Sequence, residues 1–213
     1  MKLAKIVWLV VCSGFIVSSC TRVVVPPKIN LSEYQTIGII KFKCSEGGNL
    51  DAYVTQKFIE EITRDQKLIR IIELGNETKV LSEVQKSTLN IDAYKAIGEK
   101  YNLKSIIIGE INISDIQPEV HIAPGFSFVG VRGVVEATLV ARLIETESGA
   151  TVWTGSAQDR QEIGHISFAN GRFMFDAKDP ERAYGPLVED LVINSTHDFR
   201  RTFYFRCGKR RCL

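Results

Sequence analysis

The sequence predicts an α/β domain, a compact mixed sheet flanked by helices. Three observations predict it. Short runs rich in β-branched residues alternate with segments of helical period through the first half of the chain. Two later strands follow each other across Ser148-Gly149 with no helix between them, which excludes an all-parallel doubly wound sheet. The length, 213 residues, suits one domain that buries a substantial core.

The elements read in the order strand, helix, strand, helix, helix, strand, strand, strand, helix. Tyr34–Cys44 opens as a buried strand, Ile37 and Ile39 alternating with Gly38 and Ile40. Ser45–Asn49 is a turn, and Asn49 or Asp51 can start a helix. Leu50, Val54, Phe58 and Ile62 then recur every four residues, an apolar stripe that faces a sheet. Leu68–Leu74 is a second strand, closed by Gly75.

Asn76–Lys86 reads as a helix with Val80, Leu81 and Val84 on one side. Asn90–Tyr101 is another, capped by Asn90 or Asp92 and ended by Asn102. Ser105–Ile113 is a buried strand. Val134–Glu145 carries Ala137, Leu139, Ala141 and Leu143 on one face, and Ala150–Gln158 returns with Trp153. Pro186 to about Thr202 reads as the final helix, with Leu187, Val188, Leu191, Val192 and Phe199 inward.

The N-terminus follows a different logic. Lys2 and Lys5 precede an apolar run that ends in Val17-Ser18-Ser19-Cys20. A charged start, a hydrophobic middle and small residues before the cut are the layout of a secretory signal peptide. A cysteine directly after two small residues makes it the bacterial lipoprotein form, with cleavage after Ser19 and a lipid on Cys20. The competing reading is an uncleaved anchor. The run Ile6–Val17 is far shorter than the roughly 20 residues that span a bilayer. The expected organisation is a signal peptide at 1–19, a lipidated tether at 20–33, a periplasmic domain at 34–203 and a basic, cysteine-containing tail at 204–213. Pro26-Pro27 stiffens the tether. Thr21 stands where an aspartate would favour inner-membrane retention, so the expected site is the periplasmic face of the outer membrane.

Charge and cysteines bound the partners. The 27 Lys and Arg against 25 Asp and Glu become near-neutral once Lys2 and Lys5 are removed, which gives no electrostatic footprint for nucleic acid. The charge is uneven, since Arg200, Arg201, Arg206, Lys209, Arg210 and Arg211 crowd the end with no acid among them. Cys44, Cys207 and Cys212 remain besides Cys20. Cys207 and Cys212 are near enough to close a small disulfide loop, and three reduced cysteines fit equally. Two thiols with no nearby histidine do not make a zinc site.

No catalytic constellation is legible. Phosphate-loop, HExxH and GxSxG motifs are absent. Ser195, His197 and Asp198 spell the letters of a triad, but residues two apart on a helix are rotated by roughly 200°. Asp176, Asp179 and Glu181 beside Arg182 read as a solvated turn and helix start. No enzyme, cofactor or small-molecule substrate is therefore expected.

Two loop-rich stretches carry the remaining information. In Ser114–Gly133, Val120, Ile122, Phe126 and Phe128 share one parity. In Gly164–Asp176, Asn170-Gly171 is a hairpin turn flanked by Ile166 and Phe168 before it and Phe173 and Phe175 after it. These apolar residues either pack back on the domain or form a surface for a partner, for self-assembly or for membrane contact.

Thr36-Ile37-Gly38-Ile39-Ile40, Leu103–Glu110 (LKSIIIGE) and Ala141–Trp153 (ARLIETESGATVW) together resemble the CsgG-like curli-secretion lipoproteins, a broad group that includes lipoprotein activators of peptidoglycan synthases. The resemblance runs from Tyr34 to Trp153. It implies a compact α/β fold, an outer-membrane lipid anchor, ring or partner assembly within the envelope, and no enzymatic activity. In the secretion channel, hairpins at the places of the two loop-rich stretches build a shared membrane barrel, which implies a subunit of an export channel as the alternative role. This chain departs from that pattern in its second hairpin, whose arms are about half of the 9–11 residues of a spanning strand. Pro118 and Pro124 are also poor residues for barrel strands.

Overall fold

The computed structural model describes residues 21–45, 49–66, 68–115, 117–122, 129–163, 166–169, 172–175 and 180–206. They fall into two units: Lys28–Arg200, and a smaller one that joins the residues up to Pro27 with those from Arg201.

The larger unit is a mixed α/β domain. A seven-stranded sheet is built from β2 (Thr36–Ile40), β3 (Lys43–Cys44), β4 (Arg70–Gly75), β5 (Ser105–Ile113), β6 (Gln117–Ile122), β7 (Val129–Glu145) and β8 (Thr151–Ile163), while β1 (Thr21–Val25) lies in the smaller unit. The strands β4, β2 and β5 are parallel neighbours, and β3 runs parallel to the far half of β5. β7 is antiparallel to β5 and β8, so the sheet turns from parallel to antiparallel at β5. β6 continues the flank of β7 that β5 occupies, pairing Gln117–Ile122 with Val134–Val129.

Helices α1 (Leu50–Thr63), α2 (Glu77–Glu83), α3 (Ile91–Tyr101) and α4 (Pro180–Ser195) cover the sheet. Period two splits its apolar residues between two cores. On one face Ile37, Ile39, Ile107, Ile111, Leu139 and Leu143 pack with Leu50, Val54, Phe58 and Ile62 of α1 and with Leu187, Val188 and Leu191 of α4. On the other, Ile40, Ile106, Ile108 and Ile144 meet Val80 of α2 and Ile97 of α3. Burying each such side chain contributes about 1.5–3 kcal/mol. An aromatic row threads the larger core, with ring centroids 4.8 Å apart for Phe42–Phe58, 6.4 Å for Phe58–Trp153 and 4.5 Å for Trp153–Phe199.

Local chemistry sets the helix ends. Asn76 and Asn90 accept from the backbone N–H groups of Lys79 and Ala93, each at 2.9 Å, as N-cap side chains do. Asn102 closes α3 in the left-handed region, φ 54°, one of the few side chains that tolerate it. At Gly155 a Cβ would sit 2.3 Å from the carbonyl oxygen of Ser195, so only glycine lets the end of α4 approach β8 this closely.

Several boundaries differ from the sequence expectation. The final helix runs Pro180–Ser195, six residues earlier than expected, and keeps Pro186 inside it. Pro180 takes the first-turn position that a proline at 186 suggested. Phe199 is fully buried, but from a short 3-10 turn, His197–Phe199, rather than from a continued helix. β7 begins five residues early, at Val129, and β8 extends to Ile163. Within the stretch 20–33 expected to be a tether, the structure has a strand, Thr21–Val25, and a 3-10 turn, Leu31–Tyr34, whose Leu31 is fully buried.

The smaller unit is described by residues 21–27 and 201–206. β1 pairs antiparallel with the last strand, Thr202–Arg206, in a two-stranded ribbon that sets Thr21 opposite Arg206 and Val24 opposite Phe203.

Candidate functional site

Among the described residues, three stretches pair as two-stranded ribbons. The first is the far end of β7. Val129–Arg132 pair with β6 alone, because β8 reaches only as far as Gly133. Pro118 is tolerated in β6 because an edge strand has one hydrogen-bonded neighbour, and its register partner is Gly133. Glu119 of β6 pairs with Arg160 of β8, and Gln158 donates to Glu136, so polar side chains on three strands share this end of the sheet.

The second ribbon is the hairpin β9 (Ile166–Ala169) and β10 (Arg172–Phe175). Ala169 opposes Arg172, while Asn170-Gly171, expected as the turn, lie outside the described residues. Phe173 opposes Phe168 and Phe175 opposes Ile166, so these four positions occupy one face of the hairpin. The register thus places Ile166, Phe168, Phe173 and Phe175 at facing positions of the hairpin. Phe126 and Phe128, expected to belong to the same surface, lie outside the described residues, as do Cys20, Cys207 and Cys212.

The third ribbon was not anticipated. Along β1 and its partner, β11 (Thr202–Arg206), Arg22 and Phe205, then Val24 and Phe203, alternate onto one face. Val24 is 51%, Phe203 48% and Phe205 63% exposed. The Arg22 guanidinium lies over the Phe203 ring, 3.7 Å from its centroid, a cation–π contact. The signal in the sequence was the alternation of valines and aromatics in Arg22–Val25 and Thr202–Phe205, two short segments at opposite ends of the chain.

The triad letters do not assemble. Ser195 is buried and donates to the carbonyl of Val192 at 3.2 Å. Asp198 instead meets Lys28 Nζ at 2.8 Å and His197 Nε2 at 3.0 Å, and accepts from Trp153 Nε1 at 3.3 Å. The Lys28 hydrogen bond is the largest influence holding the Asp198 carboxyl below its usual range. This is a structural knot. Among the described residues no group of three His, Cys, Asp or Glu is placed to hold a metal ion, and no helix is long and apolar enough to cross a membrane.

An open cleft of about 410 Å³ lies on the α2–α3 face, between Lys43, Glu77, Leu89, Tyr94, Glu110 and Arg142. Lys43 is paired with Glu77 at 2.8 Å, and burial pushes the Tyr94 phenol above its usual pKa. Nearby, a hydrogen bond to Glu83 pushes Tyr101 up to about 12. Lys43 and Arg142 balance Glu77 and Glu110 around the cleft.

No protein-family model and no curated protein matches the chain. Solved structures do. A PelC dodecamer from Paraburkholderia phytofirmans is 10% identical, covering 84% of this chain and 96% of that one, at a TM-score of 0.40. Lipoprotein GNA1162 from Neisseria meningitidis is 12% identical over 73% of this chain and 93% of that one, TM-score 0.38. The LpoB C-terminal domain from Salmonella enterica is 9% identical over 64% and 86%, TM-score 0.36. None of the three is named as a curli-secretion protein. Likenesses this distant carry no inference about the role of this chain.

Proposed function

We propose that the chain is an outer-membrane lipoprotein, anchored through Cys20, whose periplasmic domain is a non-catalytic assembly or partner-binding factor of the cell envelope. The observation that carries the partner-binding half is the β9–β10 hairpin, whose register gathers Ile166, Phe168, Phe173 and Phe175 on one face. Its arms are four residues each, and an isolated two-stranded hairpin is marginal in water at best. In this reading a partner or a second copy packs on that face. The anchoring half rests on Val17-Ser18-Ser19-Cys20 and on Thr21 in the position after it. A small Cys207–Cys212 loop fits the oxidising periplasm.

One observation favours a second reading, a subunit of an oligomeric export channel. β7 is 17 residues long, about 56 Å at 3.3 Å per residue, and runs past the end of β8 to pair with β6. Against it, the part of β7 paired with β6 is six residues, below the 9–11 of a membrane-spanning strand.

Both halves are tested in cells. Cys20→Ser is expected to abolish fatty-acid labelling and leave an unprocessed precursor; label retained on the variant overturns the lipoprotein reading. Sizing the detergent-extracted protein separates the two roles. A monomer or a complex with another envelope protein supports the binding factor, and a large ring that conducts ions supports the channel.

A further inference from the structure

The β1–β11 ribbon has a composition unlike the other two. Residues 21–27 and 201–213 of its unit contain six Lys and Arg and no Asp or Glu. One face carries Val24, Phe203 and Phe205, all about half exposed or more, with Arg22 stacked on Phe203. The register adds a direction. Thr21 opposes Arg206, so the antiparallel ribbon brings Arg206, where the basic tail begins in sequence, opposite the residue that follows Cys20.

We infer that this ribbon seats on an anionic lipid surface, with Val24, Phe203 and Phe205 entering the headgroup boundary and the arginines meeting lipid phosphates. The lipid surface is the occupant for two reasons. Charge complementarity fits, since a purely basic unit near an anionic leaflet gains about 1 kcal/mol per residue, roughly fivefold each. Position fits as well, because the proposed acyl attachment point, Cys20, is the residue just before Thr21 in sequence. Apolar area combined with basic charge is how amphipathic segments hold the interface, and a second signal of this kind strengthens a lipid anchor. The inference rests on the lipoprotein reading for its location in the cell, but the contact itself is testable without the lipid.

The test uses the mature chain, residues 20–213, carrying Cys20→Ser, mixed with vesicles of phosphatidylglycerol and phosphatidylcholine or of phosphatidylcholine alone. Co-sedimentation with the anionic vesicles is expected, weakening as salt rises. Phe203→Ser with Phe205→Ser is expected to reduce it about tenfold, through lost apolar area. Arg22→Gln should reduce it about fivefold on anionic vesicles only. Melting curves check that each variant keeps its core, and Val24→Ser serves in place of any that does not.

Failure to sediment, or a double variant that sediments like the wild type, overturns the inference. So does a wild-type dimer that the double variant converts to a monomer, since a second copy then covers the ribbon. Fatty-acid labelling of Cys20 is a separate readout, so a failed anchor and a failed ribbon are told apart.

Discussion

The side-chain amide of Gln66 donates to the carbonyl oxygen of Phe199 at 2.8 Å. The same amide donates to the carbonyl of Ile29 at 2.9 Å, and its oxygen accepts from the N–H of Leu31 at 3.0 Å. One side chain at the end of α1 therefore satisfies three backbone groups from both ends of the Lys28–Arg200 unit. Around it, Ile29 N–H donates to the Asp198 carbonyl at 3.1 Å, and Glu61 pairs with Arg200 at 2.6 Å. Gln66→Ala is expected to lower the unfolding free energy by about 2–3 kcal/mol, three hydrogen bonds at roughly 1 kcal/mol each. Denaturant melts at unchanged slope check this; a loss below about 0.5 kcal/mol would mean that water replaces the amide.

Phe58 is fully buried, with its ring against Phe42 and Trp153. Phe58→Ala removes the middle of the aromatic row and leaves a cavity between α1 and the sheet. The expected cost is about 3–5 kcal/mol. A denaturant-melt loss under about 1 kcal/mol would show that the site collapses onto the gap.

Asp198 gives the domain an acid-sensitive contact. Its folded pKa lies below the unfolded value, chiefly through the Lys28 hydrogen bond, with help from Trp153 N–H and the His197 charge. A depressed carboxylate stabilises the fold above its unfolded pKa of about 4, and that contribution is lost as pH falls through the folded value. Asp198→Asn keeps an acceptor for Trp153 but loses the charge. The variant should be less stable at pH 7 by about 1 kcal/mol or less, since Lys28 is largely exposed. The two proteins should converge as pH falls through the folded value. An equal gap at pH 7 and pH 2 would assign the effect to packing instead of charge.

The sheet was legible where the side-chain period was clean. Ser105–Ile113 matches β5 residue for residue, and Leu50, Val54, Phe58 and Ile62 all face the core. Asn90 and Asn102 marked both ends of α3 because capping is local chemistry. The errors arose where pairing overrides local preference. Gly130 and Gly133 hid the start of β7, and the polar run Gln158–Glu162 hid the end of β8, yet both extend because β6 pairs with the start of β7 and β7 pairs with the end of β8. The β1–β11 ribbon was hidden because its halves are some 180 residues apart, and no local window contains both. The β9–β10 hairpin was legible from Asn170-Gly171 alone.

That hairpin carries the final prediction. Its register places Phe173 opposite Phe168 and Phe175 opposite Ile166 on a ribbon of four-residue arms. Such arms are too short to cross a bilayer, which takes about 9–11 residues per strand. The cover proposed for this face is therefore protein. Phe173→Asp with Phe175→Asp is expected to abolish self-association or partner capture, measured by crosslinking and by sizing of the detergent-extracted chain. The melting curve should stay where it was. If the double variant unfolds, the aromatics belong to the core. If wild-type protein makes liposomes leak ions and the variant does not, the hairpin enters the membrane and the export channel becomes the better reading.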